Sequence, residues 1–405
     1  MKLREVLPEY FSGLTGTISS INSSRSSHHN IIEAFNMHQQ GKISQAEQAY
    51  LKLIESGLDD PRIYANLAAI EFTRLNYQQA RDLLYDAHRL RDRPCNDAYL
   101  ISLLSLSLSD FPSAWNFYEY RWLNSFIPKI NTVLPVINED DDQWNTPDLL
   151  LHQDGGLGDH IFILQLLKHA DIQIYGTFSG SKPASNLLRY IAPSMSVAGH
   201  NSVLDTRFNH WIPFQSLLRI TQAPEAFINA SKCTNIEISS PLGINHRSPR
   251  IGIHWQGNSL NELFLIKGTR SLSLSLYSDI ILSRRYSLYS LQIGRAANDL
   301  EKFPKDLFVD QLHLGNIDSQ MYDLIETIKK MDLVVCGDSF VANLAGFLEI
   351  PTLLIISQYH DWRWAKRSVG NSSFWYPSIT ILECQTLQDS PELRLEICSR
   401  VAAMI

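Results

Sequence analysis

The sequence predicts a region of paired α-helices followed by an α/β region that contains two parallel sheets. Three observations support this fold class. Small and aromatic residues recur with a fixed period between residues 30 and 125. Short apolar strands alternate with helical segments from residue 148 onward. This alternation falls into two runs that separate near residue 240, and it is typical of parallel sheets with helices on both faces.

The composition is that of a globular protein large enough for two or three domains. Of its 405 residues, 44% are apolar and 19% are charged. The net charge is −7, the isoelectric point is about 6.0, and no long basic stretch occurs. Nucleic acid is therefore not an expected partner.

The five cysteines are scattered without a C-x-x-C pair, which predicts a reducing compartment and no metal site. The first residues lack the apolar segment of a signal peptide. No apolar run approaches the roughly 20 residues that span a bilayer. We expect a cytoplasmic protein that can act peripherally at the inner membrane face.

Residues 1–29 are predicted to be a flexible lead, because the serine-rich segment 19–27 has too little apolar content to bury. From residue 30 to 125 a period of 34 residues appears, which is typical of tetratricopeptide repeats. We predict about three helix pairs, at 30–57, 61–91 and 95–124, with serines disrupting the first helix of the third pair. An unrelated helical bundle is the alternative. The positions that carry the period are Ala46, Ala80 and Ala114; Ile43, Tyr77 and Phe111; and Tyr50, Leu84 and Tyr118.

Residues 126–147 predict a linker. Their acidic run, 138–142, matches the D-x-D metal motif of some nucleotide-sugar enzymes, but it precedes the first strand of the α/β region. A solvated linker is therefore the favoured interpretation.

Two Rossmann-like units, 148–240 and 241–405, are expected to face a cleft, with ligands beyond the carboxyl ends of the strands. In the first unit we predict strands at 148–152, 172–175 and 195–198, then a loop-rich stretch to about 245. In the second we predict strands at 250–255, 287–292, 332–336 and 352–356. The predicted helices are 159–169, 183–191, 273–283, 318–330, 339–348 and 388–404.

A glycine-rich turn between the first strand and its helix is the central motif. Gly155, Gly156 and Gly158 allow a sharp turn and close approach to a ligand, and the helix start offers free N–H groups to an anion. Asp159 lies at this position and can accept a proton from a bound hydroxyl. The alternative is an ordinary turn in which Asp159 caps the helix.

Polar residues follow each strand of the second unit, as a nucleotide cleft requires. Arg270 or Lys267 is a candidate to neutralise a diphosphate. Trp362, together with Trp364 and Trp375, is a candidate to stack on a base or a sugar. As alternatives to ligand binding, Asp338 can cap a helix and the tryptophans can be packing residues. The remaining candidates for donor binding are Gln256, Asn258, Gln292, Arg295, Asp338, Ser339 and Asn343.

Taken in order, these segments resemble the bacterial tetratricopeptide-repeat glycosyltransferases, which are similar to the heptosyltransferases of glycosyltransferase family 9. The resemblance implies a GT-B fold, with the donor nucleotide held mainly by the C-terminal domain. It also implies inverting sugar transfer from a nucleotide-diphosphate donor, with no cofactor and no metal. Asp159 matches the family's catalytic base, and Asp338 and Ser339 match its phosphate-binding loop. The segments are 156–159, 252–258, 270–272, 289–292, 338–346, 361–364 and 375–377.

Three positions depart from the family pattern. Asn343 stands where histidine is common, Ile293 where lysine is common, and Gly155 where glutamine is usual. The leading hypothesis is a glycosyltransferase whose repeats position a protein or glycan acceptor. One alternative is an interaction scaffold with a degenerate, non-catalytic core. Another is a regulator that binds the sugar donor without transferring it.

Overall fold

The computed structural model describes residues 25–92, 95–123, 145–198, 208–233, 248–257, 270–311, 317–364 and 370–405. The described chain forms two compact units. One contains the helices of residues 25–123 together with residues 361–363. The other contains the α/β region. The predicted lead up to residue 24, most of the predicted linker and its acidic run lie outside the described residues.

In the helical unit, successive helices of the described residues pack as pairs that repeat along the chain. Ile43, Tyr77 and Phe111 each begin the second helix of a pair, so these helices start 34 residues apart, as the sequence period predicts. The helices are α1 (Arg25–Gln39), α2 (Ile43–Glu55), α3 (Pro61–Thr73), α4 (Tyr77–Arg89), α5 (Asn96–Ser107) and α6 (Phe111–Tyr118).

Small residues allow these helices to approach one another. Ala46, Ala80 and Ala114 occupy equivalent positions and are fully buried. Asp60 begins α3 by accepting a hydrogen bond from the Arg62 backbone N–H at 2.9 Å, with proline in the first turn. The first described helix starts five residues earlier than predicted.

The serines of the third pair do not disrupt its first helix, contrary to the prediction. Helix α5 is regular through Ser107, whose hydroxyl donates to the Leu103 carbonyl at 3.0 Å. Ser105 is buried and its hydroxyl lies 3.3 Å from a guanidinium nitrogen of Arg81 on α4. The hydroxyls of Ser105 and Ser107 are thus satisfied by a neighbouring helix and by the helix backbone, which offsets the cost of burying them.

The α/β unit contains two parallel sheets among its described residues. The four-stranded sheet has the order β3-β2-β1-β4 and the six-stranded sheet has the order β10-β9-β8-β5-β6-β7. The strands are β1 (Leu149–His152), β2 (Thr177–Ser179), β3 (Ser196–Val197), β4 (His210–Pro213), β5 (Arg250–His254), β6 (Ser287–Ser290), β7 (Phe308–Gln311), β8 (Leu333–Gly337), β9 (Thr352–Ser357) and β10 (Ile379–Cys384).

Helices connect these strands as the alternating pattern predicts. Those that position the site are α7 and α13, which begin directly after β1 and β8. The helices of this unit are α7 (Leu157–His169), α8 (Lys182–Ile191), α9 (Leu217–Ile220), α10 (Ala223–Cys233), α11 (Ser278–Ser283), α12 (Ile317–Ile328), α13 (Phe340–Phe347) and α14 (Pro391–Met404).

Two predictions for the first sheet are wrong. The second strand is Thr177–Ser179, not 172–175, because the Ile172 N–H still bonds to the Leu167 carbonyl as the end of α7. The stretch to residue 245 is not mainly loop in its described part, since it contains β4 and the eleven-residue helix α10. Strands β7 and β10 were also not predicted. The predicted strands and helices of the second run lie within a few residues of the observed ones.

Candidate functional site

The glycine turn joins β1 to α7 and fixes the direction of Asp159. Gly155 has φ of +84°, a conformation that favours glycine, and Gly156 caps the helix. Asp159, in the first turn of α7, accepts a hydrogen bond from the Gly156 backbone N–H at 2.6 Å through Oδ2. The carboxylate therefore caps the helix, and its side chain is half-buried.

Two side chains, one buried and one half-buried, connect this turn to other segments. Asp154 is 2% exposed and its Oδ1 accepts the Gln215 backbone N–H at 2.7 Å. Gln153 accepts the Ser181 backbone N–H at 2.6 Å through Oε1. These bonds tie the turn to the segments that follow β4 and β2, so the position of Asp159 is set by the sheet.

At the second sheet, the ends of β5 and β8 place three predicted residues together. The Ser339 hydroxyl lies 3.3 Å from His254 Nδ1 and donates to the Gly337 carbonyl at 3.2 Å. Arg270 Nε donates to the Asp338 carbonyl at 3.0 Å and lies 3.3 Å from Asp338 Oδ2. The guanidinium and the carboxylate thus form a largely buried pair directly before α13.

Helix α13 begins with its first amides uncapped by the N-cap side chain, since the Ser339 hydroxyl is turned toward Gly337 and His254. The first N–H groups of a helix lack partners within it and favour an anion. Burial lowers the pKa of His254 to about 3, so this ring stays neutral and acts as a hydrogen-bonding support for Ser339.

Gln292 holds the turn that follows β5. Its Oε1 accepts the N–H groups of Trp255 and Gln256 at 3.1 and 2.9 Å, and its Nε2 donates to the carbonyls of Gln256 and Ile293 at 2.8 and 3.1 Å. The Gln292 amide is therefore engaged by the protein backbone. It positions Gln256, which is half-buried, and Gly257, at which an added methyl group would lie 3.6 Å from the Asp338 carbonyl oxygen.

The two edges meet at Gly158 and Asn343. A methyl group added at Gly158 would lie 3.0 Å from Asn343 Nδ2 and 3.6 Å from Phe340 Cα, so the start of α7 packs against the start of α13. Asn343 is buried, donates to the Ser339 carbonyl at 3.1 Å and accepts the Tyr376 hydroxyl at 3.0 Å. Its amide therefore ties the start of α13 to Tyr376 and packs against Gly158 on α7.

The remaining predicted residues are distributed as follows. Arg295 is exposed at the start of a short 3-10 helix. Trp362 is buried, belongs to the helical unit and packs edge-to-face on Trp115 with ring centroids 6.3 Å apart. Asn258 and Lys267 lie outside the described residues. The donor-binding roles of all these residues stay predictions.

Two other tryptophans that were candidates for stacking on a ligand are interior residues. Trp375 is 1% exposed and packs against Phe162 and Phe227, with ring centroids 5.4 and 5.2 Å apart. Trp364 is equally buried and lies over Tyr376. Since Phe162 is on α7 and Tyr376 bonds Asn343, these rings form the aromatic core beneath the contact between α7 and α13.

His160 fixes α7 onto the first sheet. Its ring lies between Phe178 and Phe214, with centroids 5.5 and 5.2 Å apart, and it is fully buried. This burial lowers its pKa from 6.5 to about 4. Between these two pH values the unfolded chain binds a proton that the folded chain does not.

The lowered pKa of His160 makes the free energy of unfolding depend on pH. The contribution of the neutral His160 ring is complete above pH 6.5 and decreases as the pH falls toward 4, with a loss of about 2 kcal/mol at pH 5. We expect His160→Leu to lose less stability than the wild type between pH 7 and pH 5, measured by urea unfolding at both values. His29→Leu, at an exposed residue on α1, is the control. Equal losses in the wild type and His160→Leu would contradict this account.

Sequence reasoning missed Gln215, which reaches the site through a contact between distant segments and belongs to no local motif. Tyr376 lies in segment 375–377 of the resemblance but was not among the candidate site residues. Within the described residues, no group of three or more His, Cys, Asp or Glu side chains is arranged to hold a metal ion. No helix in the same residues is both long enough and apolar enough to cross a membrane.

No protein-family model and no curated protein matches the chain. The solved structures that are similar to it include ADP-heptose lipopolysaccharide heptosyltransferase II of E. coli, with 11% identity and a TM-score of 0.42, over 63% of this chain and 98% of that one. E. coli heptosyltransferase WaaC with ADP is 10% identical, with a TM-score of 0.38, over 64% and 99%.

An O-GlcNAc transferase of Thermobaculum terrenum is similar over 95% of both chains, with 11% identity and a TM-score of 0.25. Heptosyltransferases, the group named in the sequence resemblance, are among these similar structures.

Proposed function

We propose that the protein is an inverting, metal-independent glycosyltransferase of the GT-B type that uses a nucleotide-diphosphate sugar. The observation that supports this most is the packing of α7 against α13. It brings the turn that carries Asp159 next to the helix start that follows Asp338 and Ser339. A proton acceptor and an anion-binding helix start are the two groups that transfer from such a donor requires.

In the proposed reaction, the Asp159 carboxylate takes the proton of an acceptor hydroxyl. The hydroxyl oxygen forms a bond to the anomeric carbon while the bond from that carbon to the diphosphate oxygen breaks. The diphosphate leaves with the electron pair and is stabilised by the first amides of α13. Arg270 is paired with Asp338, so its main effect is to hold the loop that shapes this anion site.

The helices of residues 25–123 are proposed to be tetratricopeptide repeats that position a protein or glycan acceptor. Their 34-residue spacing of helix starts supports this assignment. The proposed location is the cytoplasm, including the inner face of the membrane when the acceptor is linked to it.

A scaffold with a non-catalytic core is the second candidate. Its support is that the amides of Gln292 and Asn343, and the ring of Trp362, are engaged within the protein. Three of the predicted donor contacts therefore have other partners. A scaffold does not need to retain nucleotide-sugar binding, and this difference separates the two candidates.

A thermal-shift panel of UDP-, GDP-, ADP- and dTDP-sugars against the full chain tests the proposal. We expect one nucleotide class to raise the melting temperature, because a ligand that binds only the folded state stabilises it by mass action. Asp338→Ala is expected to abolish that rise, because it removes the carboxylate that pairs with Arg270 and so loosens the loop. Asp323→Ala, at an exposed residue on α12, is the control. No rise with any donor at millimolar concentration would favour the scaffold.

A further inference from the structure

Gln215 is a buried residue whose position is tied to the glycine turn. It lies in the short turn after β4, and its side chain is 7% exposed. Strand β4 pairs with β1 up to His152 and Pro213, and the Gln215 backbone N–H donates to Asp154. The residue is therefore held beside the turn by the sheet and by a buried carboxylate.

The side chains of Gln215 and Asp159 both approach Gly155. A methyl group added at Gly155 would lie 2.6 Å from Gln215 Nε2 and 2.7 Å from Asp159 Oδ2. The amide nitrogen and the carboxylate oxygen thus border the same small space over Gly155. A glutamine amide nitrogen is a donor only, and an ionised carboxylate is an acceptor only.

We propose that Gln215 is a positioning residue for Asp159, with its amide N–H directed at the carboxylate so that the carboxylate keeps one orientation beside the turn. The catalytic part of this inference rests on the proposed function, but the positioning itself does not. Glycine at position 155 is what leaves room for the amide.

The arrangement has a defined electrostatic consequence. Among the described residues beside the turn, Asp154 accepts a hydrogen bond from Gln215, and His160 is held neutral by burial. A hydrogen bond from the neutral Gln215 amide favours the ionised form of Asp159, so removing this donor is expected to raise the pKa of that carboxyl group.

A titration of the full chain labelled with ¹³C at the aspartate carboxyl carbons tests the inference. Asp159→Asn identifies the Asp159 signal. We expect Gln215→Met, which keeps the length of the side chain but not its donors, to raise the pKa of Asp159 by about one unit. Gln215→Glu, of the same shape as glutamine, is expected to raise it further through like-charge repulsion. Gln173→Leu, at an exposed residue of the same unit, is the control.

An Asp159 pKa that is unchanged in both Gln215 variants, at unchanged melting temperatures, would overturn the inference. The titration needs neither donor nor acceptor, so its result is independent of whether the protein transfers a sugar. With the donor class found by the thermal-shift panel, Gln215→Met is expected to lower kcat about tenfold at little change in KM for the donor. It is also expected to move the acidic limb of the pH–rate profile to higher pH.

Discussion

Replacing Asp159 by asparagine is expected to lower the rate of sugar transfer by about 10²- to 10⁴-fold, the range that a positioned general base supplies. An amide cannot take the proton of the acceptor hydroxyl. Its oxygen can still accept the Gly156 N–H, so the start of α7 keeps its cap. The rate is measured as release of the nucleoside diphosphate from the donor identified by the thermal-shift panel.

This variant separates the two interpretations of Asp159. If the carboxylate acts only as a helix cap, Asp159→Asn keeps the wild-type rate, and Asp159→Ala lowers stability by about 1 kcal/mol. If the carboxylate is the base, both variants lose transfer and only the alanine variant loses stability. Asp323→Asn is the matched control on an exposed helix surface.

The helical region could be predicted closely because its signal is local and repeated. The positions of Ala46, Ala80 and Ala114 fix the spacing of the helices, since each helix pair must bury a small residue where it crosses its neighbour. The prediction of a disrupted third pair was wrong because it judged the serines by intrinsic helix propensity. The structure satisfies Ser105 through a contact with the preceding pair, which no single-helix pattern shows.

The central strands of the second sheet could also be predicted, because both of their faces are buried and they form continuous apolar runs. Edge strands give a weaker signal. Strand β4, at the edge of its sheet, is four residues long and contains histidine, tryptophan and proline. Its pairing with β1, and not its composition, makes it a strand.

The candidate site likewise contains residues with a local sequence signal and residues without one. Glycines before a helix and an aspartate–serine pair at a helix start are local signals, so Asp159, Asp338 and Ser339 could be placed from the sequence. Gln215 could not, because the hydrogen bond that holds it joins residues 61 positions apart. The interior positions of Trp364 and Trp375 likewise depend on how α7 packs against the second sheet.

Gly155→Ala is expected to lower the free energy of unfolding by about 2–3 kcal/mol. The left-handed conformation of residue 155 costs a residue with a Cβ about 1–2 kcal/mol. The added methyl group would also lie under 3 Å from the Gln215 amide nitrogen and an Asp159 carboxylate oxygen, so these side chains must move. Because both atoms are at the ends of side chains, moving them adds about 1 kcal/mol, the lower end of the cost of overpacking.

Gly370→Ala is the matched control, because Gly370 has the same φ of +84° in the same unit but meets nothing within 4 Å. The loss of stability in Gly370→Ala gives the cost of the left-handed backbone alone. Any further loss in Gly155→Ala then measures the crowding around the turn. Urea unfolding of both variants gives the two values. Equal losses would mean that Gln215 and Asp159 yield without cost, and the turn would then be too loose to position a catalytic carboxylate. An excess of 1 kcal/mol or more, together with lost transfer, is expected for a turn that holds its base in place.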